Sequence, residues 1–384
     1  MKTKKKAPII RIKGFDGDWE QRKLGDVVEV CSGRDYKHLE DGDIPVYGTG
    51  GYMLSVSEAL SNDEDAIGIG RKGTIDKPYI LKAPFWTVDT LFYCIPKDNY
   101  DLNFAFDIFQ NINWKAMDES TGVPSLSKIT INKVETLVPT FSEQHKIGVY
   151  FHQLDHLITL HQREIDRIVC LRKAMVEKMF PQNGADVPAV RFSRYKEPWR
   201  LCQFSEIFTE RHIIDTISDE YPQLAFTIEE GVIRPEDKKT NKRDFLIIDK
   251  ATKKYLQTEY DDIIYNPANV IYGAIHRNAL GKGCVSPIYK IFYTDQDSTF
   301  MECIVRHPNF IKEISRSMEG TVKKLRTLKP KAFLEMSAYI APTIEEQRQI
   351  GEYFRQMDRL IEIEKEELEK IKHIKSACLE KMFV

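Results

Sequence analysis

The sequence lacks the features that define several broad classes of protein. No run of apolar residues reaches the ~18 that a membrane-spanning helix needs, and no apolar core of signal-peptide length follows the basic start Met1–Lys6. The seven cysteines are scattered, odd in number and without a CxxC pair, so they indicate neither a disulfide framework nor a structural zinc site. With 56 Lys and Arg against 58 Asp and Glu, the net charge of −2 excludes a polycationic nucleic-acid coat. We therefore expect a cytoplasmic protein of a reducing compartment.

Signatures of catalysis are also missing. The chain has no GxxxxGK[ST] loop, no HExxH motif and no GxSxG nucleophile elbow. Residues 68–73 satisfy GxGxxG, but β-branched residues and Pro78 follow where a dinucleotide site needs the start of a helix. Residues 266–269, Asn-Pro-Ala-Asn, half-resemble the loop of adenine methyltransferases but lack its second proline and its aromatic residue. We therefore expect no catalytic residues.

What the sequence does contain is an internal repeat. Residues 143–180 align without a gap to residues 346–383, at an offset of 203, and 17 of these 38 positions are identical. A second alignment, at an offset of 180, pairs three residues near the start of each copy: Pro8 with Pro188, Arg11 with Arg191 and Trp19 with Trp199. Within its 384 residues the chain therefore holds two copies of one sequence, roughly 8–187 and 188–384.

The repeated segments predict two long helices. Their apolar residues recur at alternating steps of four and three, and this average of 3.5 is typical of a coiled-coil seam. The expected seam residues are Ile147, Phe151, Leu154, Ile158, Ile165, Ile168, Ile350, Phe354, Met357, Ile361, Leu368 and Ile371. Polar residues interrupt the pattern at His161, Arg172, Glu364 and Lys375. A helix of 38 residues would be about 57 Å long.

The sequence leaves two partners open for this seam. The two helices of one chain could pair with each other in antiparallel orientation, or each helix could pair with another molecule. We expect the first arrangement, because two equal seams in one chain satisfy each other without a concentration cost.

One pair of histidines in the first helix has the spacing of metal ligands. His152 and His156 stand at positions i and i+4, on one face of the helix. Their counterparts in the second copy are Arg355 and Arg359, which cannot bind a metal. We therefore expect these four positions to be basic surface positions, with no metal site.

The central parts of the two copies differ. Residues 28–120 and 208–318 share almost nothing that aligns by eye, although both are rich in strand-forming residues. A common frame with different centres suggests one scaffold that carries two different readers. Glycine-bounded loops in each centre present side chains suited to DNA bases, since Arg pairs with guanine and Asn with adenine. The candidate base-reading residues are Arg71, Lys72, Arg277, Asn278 and Lys282.

Positive charge is concentrated in two segments of the second copy. Residues 234–254 hold eight basic and four acidic residues, and residues 312–331 hold seven and two. These could be ordinary solvated loops, or they could contact phosphates. The candidate phosphate-binding residues are Lys238, Lys239, Lys242, Lys253, Lys254, Lys323, Lys324 and Arg326.

This pattern resembles a known family. Two divergent domains, each followed by a long helix that begins near Pro-x-x-x-Glu-Gln and ends Glu-Lys-Met-Phe, resemble the specificity subunit of a type I restriction-modification system. Residues 8–15 and 18–26 resemble the family's domain opening. Three segments of the first copy together resemble one variant of its target-recognition domain, namely Ile69-Gly-Arg-Lys-Gly73, Phe85-Trp86 and Asp89-Thr90. Two segments of the second copy resemble another variant, namely Tyr265-Asn-Pro267 and Ser286-Pro-x-Tyr289.

The resemblance implies a DNA-binding subunit without catalysis of its own. Each target-recognition domain would read one half of a bipartite, asymmetric site in double-stranded DNA, and the helices would hold the two readers at a fixed spacing. Two methyltransferase subunits would dock on the helices and methylate adenine N6 with S-adenosylmethionine. Motor-nuclease subunits, which use ATP and Mg, would join for cleavage. The chain itself would bind no cofactor and no membrane.

The expected fold is of the α+β class. It comprises two mixed α/β target-recognition domains joined by two long helices packed as an antiparallel coiled coil, with an internal pseudo-two-fold repeat. The predicted divisions are domain 1 over 1–142, the first helix over 143–181, domain 2 over 182–342 and the second helix over 343–384. Two other functions are consistent with the residues alone: a self-sufficient DNA methyltransferase or nuclease, and a coiled-coil adaptor without a DNA role.

Overall fold

The structure is a computed structural model that describes residues 7–182, 184–237, 253–318 and 326–383. It divides into two compact units. Unit 1 comprises Met1–Arg163 with Glu364–Val384, and unit 2 comprises Glu164–Ile363. Each unit therefore contains one globular region and a part of each long helix.

Both copies of the repeat contain helices and strands. The helices are α1 (Leu24–Val27), α2 (Leu102–Asn111), α3 (Lys128–Lys133), α4 (Phe141–Met179), α5 (Ser298–Val305), α6 (Pro308–Ser317), α7 (Pro330–Leu334) and α8 (Ile344–Met382). The strands of unit 1 are β1 (Glu20–Lys23), β2 (Val28–Ser32), β3 (Asp41–Gly48), β4 (Gly51–Val56), β5 (Ala66–Gly70), β6 (Tyr79–Leu81), β7 (Trp86–Thr87), β8 (Leu91–Pro96) and β9 (Glu135–Val138). Those of unit 2 are β10 (Arg200–Gln203), β11 (Thr209–Glu210), β12 (Ile214–Asp215), β13 (Ala225–Thr227), β14 (Gly231–Ile233), β15 (Tyr255–Thr258), β16 (Ile263–Tyr265), β17 (Ile275–Arg277), β18 (Gly283–Val285), β19 (Lys290–Tyr293) and β20 (Ser337–Ile340). The long helices lie within two residues of the predicted bounds.

The centres of the two copies, which do not align in sequence, share a sheet order. Unit 1 has a four-stranded antiparallel sheet in the order β2-β8-β5-β6, and unit 2 has one in the order β11-β19-β16-β17. In both units the strands follow the chain in the same sequence, so β5 corresponds to β16 and β8 to β19. The second sheets differ: β4-β3-β7 includes a parallel pair, whereas β12-β15-β18 is antiparallel throughout.

The two long helices run antiparallel in unit 1. Tyr150 contacts Cys378 (Oη–Sγ 3.5 Å), and His161, further along α4, contacts Glu364, which is earlier in α8 (Nδ1–Oε2 2.7 Å). Between them Lys375 pairs with Asp155 (Nζ–Oδ1 2.5 Å). The predicted pairing of the two helices within one chain is thereby confirmed here.

Unit 2 shows the same orientation. Arg172 of α4 forms a bidentate pair with Asp358 of α8, with Nε–Oδ1 at 2.5 Å and Nη2–Oδ2 at 3.0 Å. Phe180, after the end of α4, lies 6.1 Å from Phe354, which precedes Asp358 (ring centroids). The polar residues that interrupt the seam pattern thus pair across the two helices. His161 contacts Glu364, and Arg172 and Lys375 form ion pairs with aspartates at equivalent positions of the two copies.

The apolar seam is buried as its periodicity predicts. Nine of its twelve residues are buried, and three are half-buried: Ile158, Ile168 and Ile371. Ile147 and Phe151 belong to the core of unit 1, and Ile350 and Phe354 to that of unit 2.

A buried ion pair joins the start of each copy to the start of its long helix. In unit 1 Arg11 binds Glu143 through Nε–Oε1 at 2.7 Å and Nη2–Oε2 at 2.8 Å. In unit 2 Arg191 binds Glu346 through the same atoms at 2.6 and 2.9 Å. The arginine and glutamate that the repeat aligned at offsets of 180 and 203 are therefore partners of each other.

The residues after this glutamate hold the helix against its own domain. Gln144 accepts a hydrogen bond from Asp101 N (3.1 Å), and Gln347 accepts one from Asp297 N (3.1 Å). Asp101 caps the N-terminus of α2, and Asp297 caps that of α5. A methyl group at Gly148 would lie 2.5 Å from Asp101 Oδ1, so α4 needs glycine where it crosses this cap. Gly351 makes the equivalent approach to Asp297.

Each unit has an aromatic cluster completed by the end of the long helix from the other copy. In unit 1 Phe383 lies 6.2 Å from Trp19, 5.5 Å from Phe104 and 5.9 Å from Phe151 (ring centroids). Equivalent residues of unit 2 form the same cluster around Phe180, namely Trp199 at 5.8 Å, Phe300 at 5.5 Å and Phe354 at 6.1 Å.

Candidate nucleic-acid interface

The first candidate surface follows β5 in unit 1. Arg71 N donates to Thr90 O (2.8 Å), and Arg71 Nη1 donates to Asp89 O (3.3 Å). Gly73 has a φ of +101°, a conformation that favours glycine and lets the chain turn sharply. The Arg71 and Lys72 side chains remain exposed. The structure thus brings the Asp89-Thr90 segment against the glycine-bounded loop. These two segments are among those whose sequences together resembled one variant of the target-recognition domain.

A third segment completes a groove around this loop. Leu126 N donates to Arg71 O (2.9 Å), and Gly73 N donates to Pro124 O (2.8 Å), so residues 124–129 form the opposite wall. We call this surface the loop-71 groove; it is lined by Ser32, Arg71, Lys72, Asp89, Thr90, Phe92, Ser125, Leu126, Ser127, Lys128 and Ile129. Three cations and several hydroxyl groups against one carboxylate suit phosphate and base-edge contacts.

In unit 2 the loop after β16 occupies the corresponding place. Leu328 N donates to Pro267 O (3.0 Å), which repeats the bond from Leu126 to Arg71. Tyr265, the last residue of β16, is opposite Lys290 of β19, and Tyr289 immediately precedes that strand. The segments of unit 2 that correspond to the walls of the loop-71 groove are therefore residues 266–272, residues 286–290 and the segment around Leu328.

The loop over 273–283, which the sequence favoured as the reader of unit 2, is used differently. Asn278 is 0% exposed, and its Nδ2 donates to Glu259 O (2.9 Å) and Gly281 O (2.7 Å). Its Oδ1 accepts from Leu280 N and Gly281 N. The expectation that Asn278 presents its amide to adenine does not fit this geometry, because the hydrogen bonds of the amide are made within unit 2 and hold the loop in place.

Arg277 is also engaged within unit 2. Its Nη1 lies 2.8 Å from Asp261 Oδ1, and its Nε lies 3.6 Å from Glu302 Oε2. Burial lowers the pKa of the Arg277 guanidinium, but the two carboxylates outweigh it and the pKa rises. A side chain that is 10% exposed and paired with two acids is a structural residue and not a free base reader.

The other candidate residues of unit 2 that the structure describes are at the surface. Lys282 pairs with Glu220, a bond that raises the pKa of the Lys282 amine, and lies 5.3 Å from the Tyr221 ring. Lys253 and Lys254 are exposed, with Lys253 Nζ 5.5 Å from the Tyr255 ring, and Arg326 is exposed. The other predicted phosphate ligands lie outside the described residues: Lys238, Lys239, Lys242, Lys323 and Lys324.

The sequence reasoning missed several residues that line these surfaces. Ser125, Ser127 and Lys128 reach the loop-71 groove from more than 50 positions along the chain, so no local pattern reveals them. In unit 2, Asn266 belongs to one of the two segments that resembled a family variant, and Lys290 immediately follows the other. That pairing of segments was the signal available for them.

Two further findings bear on what the chain can do. Among the residues that the structure describes, no helix is long and apolar enough to cross a membrane. Across the same residues, no three His, Cys, Asp or Glu side chains are grouped so as to hold a metal ion.

Comparison with known proteins first defines the class of the recognition domain. Residues 16–169 match the family model described as the type I restriction modification DNA specificity domain. This segment contains the loop-71 groove and the whole four-stranded sheet of unit 1. Residues 16–169 are therefore similar to that specificity domain.

The similarity then extends along nearly the whole chain. A curated protein, the type I restriction enzyme MjaVIII specificity subunit of Methanocaldococcus jannaschii, is 20% identical over 408 aligned positions, which cover 94% of this chain and 91% of that protein. The crystal structure of a type I restriction-modification S subunit from M. genitalium covers 98% of this chain and 99% of its own, with a TM-score of 0.68 and 15% identity. The latter shows a common fold, and together the comparisons confirm the resemblance to type I specificity subunits.

Proposed function

We propose that this chain is the DNA sequence-specificity subunit of a type I restriction-modification complex, and that each unit reads one half of a bipartite, asymmetric site. The observation that carries the proposal is the shared sheet order of the two units with unlike loops at the same place. Arg71 and Lys72 follow β5, whereas Asn266 and Pro267 follow β16. Equal scaffolds with different side chains at one position would contact different bases.

The long helices would set the spacing between the half-sites. Each contains 39 residues, which corresponds to about 58 Å of helix. Two readers on one face of B-DNA must be separated by about one turn, roughly 34–36 Å, or a multiple of it. Helices of this length can impose such a separation.

The chemistry would come from partner subunits. Two methyltransferase subunits would transfer a methyl group from S-adenosylmethionine to adenine N6, and motor-nuclease subunits with ATP and Mg would cleave unmodified DNA. The chain itself would bind no cofactor and would act in the cytoplasm, where the DNA is. Its contribution is to bring these partners to one sequence.

Repeated apolar patches on the helices support two equal docking sites. In unit 1 Leu157 and Leu160 are exposed one helical turn apart, and exposed Ile374 adjoins Lys375, which pairs with Asp155. All three are between 42% and 49% exposed. Apolar side chains at this spacing on a helix suit an apolar helical segment of a partner.

The same patch recurs in unit 2 at the positions 203 residues away. Leu360 and Ile363 are exposed, and exposed Leu171 adjoins Arg172, which pairs with Asp358. Similar apolar residues at equivalent positions of the two copies fit two copies of one partner.

We expect aspartate at one patch to remove one methyltransferase subunit from the complex. Leu157→Asp with Leu160→Asp should abolish docking on unit 1, because docking would then bury two carboxylates without partners, which is costly. Leu360→Asp with Ile363→Asp should do the same for unit 2. Native mass spectrometry of the reconstituted complex measures the subunit count. Thr159→Asp, on the same helix, should retain both copies, and retention of both copies in the double variants would show that the patches are not docking sites.

The DNA-reading role is tested by mapping methylated adenines in cells that make this chain with its methyltransferase partner. The wild-type chain should give one bipartite motif. If Arg71 contacts a base, Arg71→Ala should relax the specificity of one half of the motif and cost about 1–3 kcal/mol of binding free energy. If Arg71 contacts a phosphate, the replacement should weaken binding and reduce the slope of log K against log salt by about one. Exposed Arg22, on β1, provides a charge-matched control, and Arg22→Ala should leave the motif unchanged.

Two other outcomes would point elsewhere. Methyl transfer or cleavage by the purified chain alone would identify a self-sufficient enzyme. A complex that methylates without sequence preference would identify an adaptor without a reading role.

A further inference from the structure

Exposed apolar side chains mark the tip of the β3–β4 hairpin in unit 1. The strands pair up to Gly48 and Gly51, with Thr49 and Gly50 as the two-residue connection. Tyr52 and Met53 follow on β4 and are 63% and 49% exposed. Two consecutive large side chains are thus solvated at the hairpin tip.

The tip lies beside the loop-71 groove. Val88 N donates to Tyr47 O (3.0 Å) at the end of β3, and the residues that follow Val88 accept the bonds from Arg71. On the other side of the loop, a side chain at Gly73 would contact Thr49 Oγ1 at 3.7 Å. The hairpin tip and the cations of the groove therefore adjoin one another in unit 1.

The tip is also held in position by its own packing. Tyr79 Oη donates to Gly48 O (2.7 Å), and the Tyr52 ring packs edge-on against Tyr47 with centroids 6.3 Å apart. A methyl group at Gly48 would lie 2.8 Å from Met53 Sδ, so the absence of a side chain there leaves room for the methionine. The exposed pair is thus presented on an ordered support.

We propose that this hairpin is a second DNA-contacting element of unit 1, in which Tyr52 and Met53 make apolar contacts with bases while the loop-71 groove binds phosphates and base edges. The inference rests on the proposed function. A two-stranded ribbon fits a DNA groove. Apolar side chains there contact the thymine methyl group or wedge between base steps. The neighbouring cations Arg71, Lys72 and Lys128 supply the charge complementarity that a solvated apolar tip lacks.

The test separates apolar contact from charge. The complex with its methyltransferase partner is titrated with a duplex that carries the mapped motif, at several salt concentrations. Tyr52→Ala and Met53→Ala should each weaken binding, by about tenfold for tyrosine, without changing the slope of log K against log salt. Arg71→Ala should reduce that slope by about one if the arginine contacts a phosphate. A matched exposed aromatic residue, Phe141 at the start of α4, gives the control Phe141→Ala, which should bind as the wild type does.

Other results would overturn the inference without touching the proposed function. If Arg71→Ala weakens binding and the hairpin variants do not, the hairpin is outside the interface. If Tyr52→Ala lowers the methyltransferase content of the complex and leaves the affinity of the assembled complex unchanged, the tip contacts the partner protein. If the assembled complex shows no preference for any sequence, the proposed function fails instead.

Discussion

Replacing Phe383 with alanine should lower the free energy of unfolding of unit 1 by about 3–5 kcal/mol. The side chain is buried at the centre of an aromatic cluster with Trp19, Phe104 and Phe151. It is also the penultimate residue of the sequence, a position where most substitutions cost little. The effect is large because truncation would leave a cavity that the three surrounding rings cannot fill.

Hydrogen exchange resolved by peptide measures this effect in each unit separately. Phe383→Ala should speed exchange in the strands of unit 1, and Phe180→Ala should do so in unit 2, where Phe180 occupies the equivalent place. Phe383→Leu should keep most of the protection, because it preserves much of the buried volume. Equal protection in Phe383→Ala and the wild type would show that the cluster does not stabilise unit 1.

Replacing Glu346 with alanine should destabilise unit 2 by about 3–5 kcal/mol. Glu346 is 0% exposed and binds Arg191 in a bidentate pair, while Trp199 Nε1 donates to the same carboxylate at 3.3 Å. Loss of the carboxylate would leave a buried guanidinium and a buried indole N–H without their acceptor. The cost comes from those unpaired groups and not from the net value of the pair.

A double replacement distinguishes these two contributions. Arg191→Met with Glu346→Leu removes both charges and should recover much of the stability that Glu346→Ala loses. Chemical denaturation followed by tryptophan fluorescence reports the change, since Trp199 lies in the site. A double variant as unstable as Glu346→Ala would mean that unit 2 requires the ion pair itself.

The frame of the fold could be predicted from the sequence because it is periodic and present twice. The seam residues recur every 3.5 positions, and Ile147, Phe151, Ile350 and Phe354 are buried as that spacing requires. The polar interruptions were visible as gaps, but their pairing depends on the register of two helices, which a one-dimensional pattern does not specify.

The candidate reading surfaces could be predicted only in part. Arg71 and Lys72 are candidates because two glycines flank them in a short loop, and the structure shows only that both side chains are exposed. Asn278 has the same local signature, yet it is buried, because a glycine-bounded loop can fold around its polar side chain as readily as display it. The sequence does not reveal that the loop after β16 corresponds to the loop after β5, because the correspondence lies in strand order and not in residues.

The motif that makes the two halves of the chain recognisable has a mechanical origin. Glu143, Gln144 and Gly148 are used to clamp a helix onto a neighbouring cap, and none of them lines the loop-71 groove. The most similar segments of the two copies therefore carry no information about a DNA sequence. Under the proposed function, changes in the loops after β5 and β16 would alter the DNA target without disturbing this clamp, so two chains with the same clamp could have different targets.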